Sequence, residues 1–230
     1  MIKTLMIAET ALREVARRRS VLSILLLLPL AFYLSRRGDH LGESIRFVCL
    51  GLGWAQSTAA LFTGAAARPM EPRLRLSGYR SRHLFLGRIL ALWTIGAAMT
   101  VPYFLLIVLD QHDVRYIAIG LSMALTVVVS APFGLALSAV VPKELEGTLL
   151  LLVIVGLQMM ANPDGTAARL LPFWFDREIA TYAIDHTDGG YLARGLIDAV
   201  VVAVLLIALV ATASGIRLRR RRHFRPLSAH

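Results

Sequence analysis

The chain has 230 residues, a formal net charge of +10 and 57% hydrophobic residues, with a mean hydropathy of +0.64. That is too apolar for one soluble core to hide, so lipid is the expected solvent. All basic residues except Lys3 and Lys143 are arginine, and they cluster beside apolar runs rather than interleaving with aromatics. This pattern favours anchoring to anionic membrane lipid over nucleic-acid binding. The lone Cys49 excludes an internal disulfide and a cysteine-based metal site.

In chain order, residues 4–17 carry Leu5, Ala8, Leu12 and Val15 at helical spacing, with Glu9, Arg13, Glu14 and Arg17 on the other side. The spacing predicts an amphipathic helix at the membrane interface; the alternative is the cytoplasmic start of the first span. The apolar run 21–34 follows Lys3, Arg13, Arg17, Arg18 and Arg19, as in a signal peptide. Ala31-Phe32-Tyr33-Leu34-Ser35 offers no small-x-small cleavage site, however, and Arg36 and Arg37 come next. The run is therefore read as a span, short for a hydrocarbon core of about 30 Å.

Further spans are predicted at 45–66, 89–109, 117–141, 147–160 (again short) and 196–216. The expected fold is an all-α membrane protein with six transmembrane helices in a single domain, 1–230. Between spans, 67–88 is a basic loop punctuated by Pro69, Pro72 and Gly78, with room for a short helix or two. The segment 161–195 contains Leu170-Leu171-Pro172-Phe173-Trp174-Phe175, too apolar for a solvated linker, and is expected to re-enter the membrane or cap the bundle from outside. Residues 217–230 form a basic tail. Six spans put both termini on one side, and that side holds 18 Lys and Arg against seven on the other, which predicts cytoplasmic termini.

No catalytic residues and no metal site are expected. The chain lacks G-x-x-x-x-G-K-[ST], and neither lysine lies in a glycine-rich loop, so it is not expected to hydrolyse ATP. Histidines 40, 83, 112, 186, 223 and 230 all fall outside the predicted spans, which leaves Ser57, Ser122, Ser130 and Ser138 without an imidazole at depth. Those serines are read as helix-packing residues. Asp164-Gly165-Thr166-Ala167-Ala168-Arg169 is similar to the D-G-x-x-A-R core of CDP-alcohol phosphotransferases. The rest of that pattern is missing, with Ala161, Glu178, Tyr182 and His186 where aspartates or glycine belong.

Asp198 is the one carboxylate inside a predicted span, and Arg194 one turn earlier is its expected partner. Trp54, Gln56, Met99, Gln158 and Met159 lie in spans and suit a pathway for an amphipathic substrate, with plain helix packing as the competing reading. In the 67–88 loop, Leu74, Leu76 and Tyr79 offer apolar anchors among Arg73, Arg75, Arg80 and Arg82. Such a surface suits either a partner protein or lipid headgroups.

Three stretches carry a family resemblance. The loop after the second span ends in Leu84-Phe85-Leu86-Gly87-Arg88-Ile89-Leu90-Ala91, a short charged link Pro142-Lys143-Glu144-Leu145-Glu146-Gly147 precedes the fifth span, and a proline-containing outer segment runs from Asn162-Pro163 to Leu171-Pro172-Phe173-Trp174. With the topology above, nearly the whole chain resembles the membrane permease subunit of type-2 ATP-binding-cassette (ABC) exporters, the group that includes daunorubicin-type drug, lipid and polysaccharide exporters. One departure is that Glu71 is followed by Pro72 and Arg73-Leu74-Arg75-Leu76 rather than Gly-Thr and a leucine-rich run.

The resemblance implies a subunit of the bacterial inner membrane that pairs with a second permease, as homodimer or heterodimer, and docks ABC ATPase subunits through Arg73, Leu74, Arg75, Leu76, Tyr79, Arg80 and Arg82. ATP and Mg would be bound by the ATPase partner, not by this chain. Pro172, Phe173 and Trp174 would form an outer gate. The alternative is a non-transporting assembly or immunity factor that binds a lipid or peptide in the membrane.

Overall fold

The computed structural model describes residues 2–17, 19–37, 41–141, 143–161 and 165–219. Among them are ten helical segments and no strand: α1 (Ile2–Arg17), α2 (Arg19–Arg36), α3 (Leu41–Ala67), α4 (Glu71–Leu76), α5 (Ser81–Asp110), α6 (Tyr116–Val140), α7 (Glu144–Met160), α8 (Thr166–Arg169), α9 (Trp174–Ile184) and α10 (Gly189–Arg219). Residues 220–230 of the predicted basic tail, Pro142 of the charged link, and 162–164 of the outer segment lie outside the described residues.

Four stretches are long and apolar enough to cross a membrane: Gly42–Ala67, Arg82–Asp110, Tyr116–Val140 and Gly189–Ala213. The chain is therefore an all-helical, membrane-embedded protein. The two short predicted spans correspond to an apolar stretch Ser23–Arg36 in α2 and to the 17-residue α7. Helices overrun the predicted spans at the charged ends. α5 starts at Ser81 rather than 89, and α10 at Gly189 rather than 196. Arg82, His83 and Arg88 interrupt the apolar run but not the helix, which continues through them.

The bundle is organised on a parallel pair, α3 and α6, that comes close enough for backbone contact. Along α6, Thr126, Ser130, Gly134 and Ser138 recur every fourth residue, so they form one stripe on one face. Gly53, Ser57, Ala60 and Gly64 of α3 lie against that stripe in order. A Cβ on Gly53 would stand 3.3 Å from the Thr126 methyl, one on Gly134 2.1 Å from the Ser57 carbonyl oxygen, and one on Gly64 2.2 Å from Ser138 Oγ. Ser57 Oγ donates to the Ser130 carbonyl at 3.2 Å. In lipid, where apolar side chains gain little by leaving their solvent, such small-residue contact is what drives helices together.

The other helices pack around this pair. α2 runs antiparallel to α3, with Pro29 against Gly51 and Phe32 edge-on to Trp54 at 5.9 Å between ring centroids. α5 runs antiparallel to α6, and Gly96 admits both Val127 and the amide of Gln56. α7 runs antiparallel to α3 and buries Gly147, Leu151 and Val155. α10 is peripheral; Ile197, Val200, Val204 and Leu205 are exposed along one side, as lipid-facing residues should be. One end of the bundle carries α1 and α4, and the opposite end carries α8 and α9.

From that first end α1 runs alongside α5, starting at Gly87, where a Cβ would meet the Thr4 carbonyl at 2.7 Å and the Ile7 side chain at 2.8 Å, and reaching Met99, which shares a groove with Leu12 and Val15. Leu5 and Met6 point away from the bundle and are exposed.

The tight α3–α6 contact predicts that Gly134→Ala destabilises the protein by roughly 1–3 kcal/mol, because the Ser57 carbonyl cannot yield. Gly156, with nothing within 4 Å of an added Cβ, is the control. Gly156→Ala is expected to be neutral or to gain up to about 1 kcal/mol of helix propensity. Thermal unfolding in detergent micelles reads both.

Candidate functional site

The first candidate region is the α4 end. Glu71, in the first turn of α4, is buried and pairs with the equally enclosed Arg88 of α5 at 3.1 Å, with side-chain exposures of 6% and 13%. An ion pair so desolvated holds only while both partners stay in place, so it fixes α4 to α5. At the other end of α4 the chain turns through Gly78 at φ 81°, and the Tyr79 amide returns to the Leu74 carbonyl at 3.1 Å. This is a left-handed helix stop that only glycine adopts without strain, and it brings Leu74 and Tyr79 to the same edge.

Leu74 and Tyr79 are half-buried, whereas Arg73, Leu76, Arg80 and Arg82 are exposed, Leu76 at 91%. The Arg75 side chain lies outside the described residues. Met70, exposed at 61%, adds an apolar residue that the sequence reading did not single out. Arg68 donates to the Val141 carbonyl at 2.9 Å and so places a cation at the α6 C-terminus, tying this region to the central pair.

The second region is at the α9 end. A cavity of about 320 Å³ opens between the end of α2, the first turns of α3, the last turn of α7 and the outer segment. It brings together residues from two separate sequence predictions: Gln158 and Met159, assigned to a pathway, and Phe173, assigned to a gate. Phe173 is 1% exposed and stands edge-on to Phe133 of α6 at 5.9 Å, so it is wedged into the bundle rather than lying across its mouth. Trp174 is buried beside it under the Arg169 guanidinium, and Pro172 is half-buried in the turn before them.

The remaining pathway residues lie elsewhere. Gln56 is 1% exposed and donates to the Leu92 carbonyl between α3 and α5. Trp54 packs on Phe32. Met99 lines an apolar groove of about 410 Å³ that α5 shares with Leu12 and Val15 of α1.

Asp176 was invisible to the sequence reading. It lies in the first turn of α9, 3% exposed, and accepts from Ser122 Oγ at 2.5 Å and Thr126 Oγ1 at 2.8 Å. Each hydroxyl has one proton, so the carboxylate receives at most two such bonds at once, with the helix N-terminus adding its dipole. α9 has 11 residues and does not span a bilayer. Burial pushes the Asp176 carboxyl up to about 7, and the Ser122 and Thr126 bonds oppose that rise. The available signal was Ser122 and Thr126, two hydroxyls one turn apart facing an acid inside an aromatic run.

The expected Arg194–Asp198 pair is not formed. Arg194 Nε instead donates to Glu178 Oε2 at 2.8 Å, and its guanidinium lies over the Tyr191 ring at 4.4 Å. Folding α9 back onto α10 buries Glu178 and gives it the first claim on the cation. Asp198 keeps Oδ2 buried without a partner among the described residues.

Among the described residues no group of three or more His, Cys, Asp and Glu side chains could hold a metal ion.

Breaking the Glu71–Arg88 pair is expected to be costly on one side only. Arg88→Met leaves Glu71 buried beside an apolar side chain and should destabilise by about 3 kcal/mol, whereas adding Glu71→Gln should recover most of the loss. Thermal unfolding gives the cost, and proteolytic cleavage around α4 shows whether the helix has come loose.

Comparison with known proteins supplies no identity: no family model and no curated protein matches the chain.

Proposed function

We propose that this chain is the membrane-spanning permease subunit of a type-2 ABC exporter, in which six helices, α2, α3, α5, α6, α7 and α10, cross the bacterial inner membrane with both termini in the cytoplasm. It would act as a homodimer or heterodimer and move an amphipathic drug, lipid or peptide outward, powered by ATPase subunits bound at the α4 end.

One observation carries the reading furthest. The two elements that would meet an ATPase, α1 and α4, converge on adjacent residues of one long helix, α1 at Gly87 and α4 at Arg88. A push on α4 is delivered to α5 at Arg88 and a push on α1 along α5 from Gly87 to Met99, and the other end of α5 lies across the bilayer beside α2 and α6. A stiff helix held by two such elements is a means of passing a cytoplasmic closure to the transmembrane bundle. The exposed Arg73, Arg80 and Arg82 with Met70 and Leu76 supply cationic and apolar groups for docking. The short α2 and α7 fit a span by tilt, local thinning of the bilayer and snorkelling of flanking arginines.

Pull-down of the tagged chain from native membranes tests this. An ATPase is expected to co-elute with the native chain and to fall at least about tenfold when Arg73, Arg80 and Arg82 are all changed to Ala, because complementary charges set the encounter and register. Absence of ATPase from both samples would overturn the exporter reading and favour the non-transporting membrane factor.

A further inference from the structure

Prolines stand inside three of the helices, Pro29 in α2, Pro102 in α5 and Pro132 in α6. A proline has no N–H, so the carbonyl four residues before it loses its helix donor; here these are Leu25, Ala98 and Val128. Lipid offers no replacement, and a neighbouring helix has to supply one. At α6 it does: Trp93 Nε1 of α5 donates to the Val128 carbonyl at 3.4 Å. Beside Pro29, the Tyr103 hydroxyl of α5 donates to the Leu26 carbonyl, next to that of Leu25.

α5 has no such support at Ala98. The nearest hydroxyls in sequence, Thr94 and Thr100, donate to the Leu90 and Gly96 carbonyls, both at 2.9 Å, and among the described residues no side chain donates to that of Ala98. Ala98 and Pro102 are both exposed, so the carbonyl between them faces out of the bundle. It lies about 15 Å along α5 from Arg88, in the middle of the apolar stretch Arg82–Asp110, where hydrocarbon supplies no donor. Ala98 is also part of the wall of the groove between α1, α2 and α5, whose volume of about 410 Å³ falls in the roughly 300–1,000 Å³ range of small-molecule sites. Leu12, Val15, Leu26, Ile95 and Met99 make the rest of that wall apolar. Arg13, the charged residue of the lining, is paired with Glu9 at 2.5 Å. The groove therefore offers two acceptors, the Ala98 carbonyl and the Thr94 oxygen, on an apolar wall with its charge already matched.

We propose that this groove binds a neutral, largely apolar molecule through one hydroxyl, which donates to the Ala98 carbonyl while the apolar body lies against Met99 and the facing side of α1. A plain lipid tail would leave the carbonyl without a donor, and an ionic head would find no counter-charge. The site goes beyond the exporter reading and does not rest on it, since it needs no ATPase and no second copy.

The test photolabels the full chain, reconstituted alone in lipid nanodiscs, with three probes of equal chain length: a diazirine-bearing octanol, its methyl ether and the matching carboxylate. The alcohol is expected to label peptides carrying 12–15 or 94–99 with saturation, at a concentration about fivefold or more below that needed by the other two, as one hydrogen bond to an otherwise unmet acceptor requires. Pro102→Ala returns a helix donor to Ala98, keeps the wall apolar and favours the helix, so the variant folds. In it the alcohol should fall to within about twofold of the ether, with labelling by the ether unchanged. Equal labelling by ether and alcohol in the native chain would overturn the proposal in favour of an ordinary lipid-facing surface, and equal labelling by the carboxylate in favour of a charged site at Arg13. An alcohol preference that survives Pro102→Ala would show that Ala98 is not the acceptor. Absence of saturable labelling in the groove would overturn the proposal as well, leaving bulk lipid or a second copy as its cover. None of these outcomes bears on ATPase co-elution, so the two readings fail separately.

Discussion

Everything in this bundle depends on how closely α3 and α6 approach. Their facing residues are small from one end of the contact to the other, Gly53, Ser57, Ala60 and Gly64 against Thr126, Ser130, Gly134 and Ser138. A side chain at Gly134 would push the helices apart, and α2, α5 and α7, which each seat a residue against α3 or α6, would lose their register. The same pair fixes the α9 end. Thr126 and Ser122 extend the hydroxyl stripe to hold Asp176, and Gly53 leaves the room into which Phe173 is wedged. At the other end Arg68 caps α6 and leads the chain into α4. One packed seam thus positions both candidate regions.

The two regions differ in chemistry. The α4 end is cationic and apolar on its surface but held from beneath by a desolvated ion pair, an arrangement that resists being pulled away from α5. The α9 end holds a cavity that opens between α2, α3 and α7, with Phe173 wedged into the bundle beside it. A protein that must respond to a partner on one side and handle a molecule on the other needs a rigid connection between them, and α3, α5 and α6 all run the full distance.

The fold class was legible because long apolar runs survive any detail of packing: α3, α5, α6 and α10 are all present where hydropathy put them. Their ends were not, because hydropathy stops at Arg88 or Leu196 while the helix, which needs only backbone bonds, continues. Ser57, Ser130 and Ser138 could be read as packing residues from the lack of a histidine at depth. Asp176 could not be found in the same way, since its burial depends on α9 folding back into the bundle, and nothing in Trp174-Phe175-Asp176-Arg177 states that. The Arg194 pairing failed for the same reason: a helix-local rule was overridden by Glu178, brought in from another helix. Gln158 and Phe173 were each singled out, but 15 residues of sequence separate them, and only the fold makes them neighbours.

The central claim is that the α4 and α9 ends lie on opposite sides of a membrane crossed six times. Cys49 is 1% exposed and is expected to stay silent to a maleimide, so single cysteines can be introduced in the native background at Ser77, beside α4, and at Asp188, after α9. With a membrane-impermeant maleimide, Asp188→Cys is expected to react in intact cells and Ser77→Cys only in inside-out vesicles. Reaction of both from the same side would contradict the six-span arrangement and, with it, the assignment of one end to a cytoplasmic partner and the other to the outer cavity.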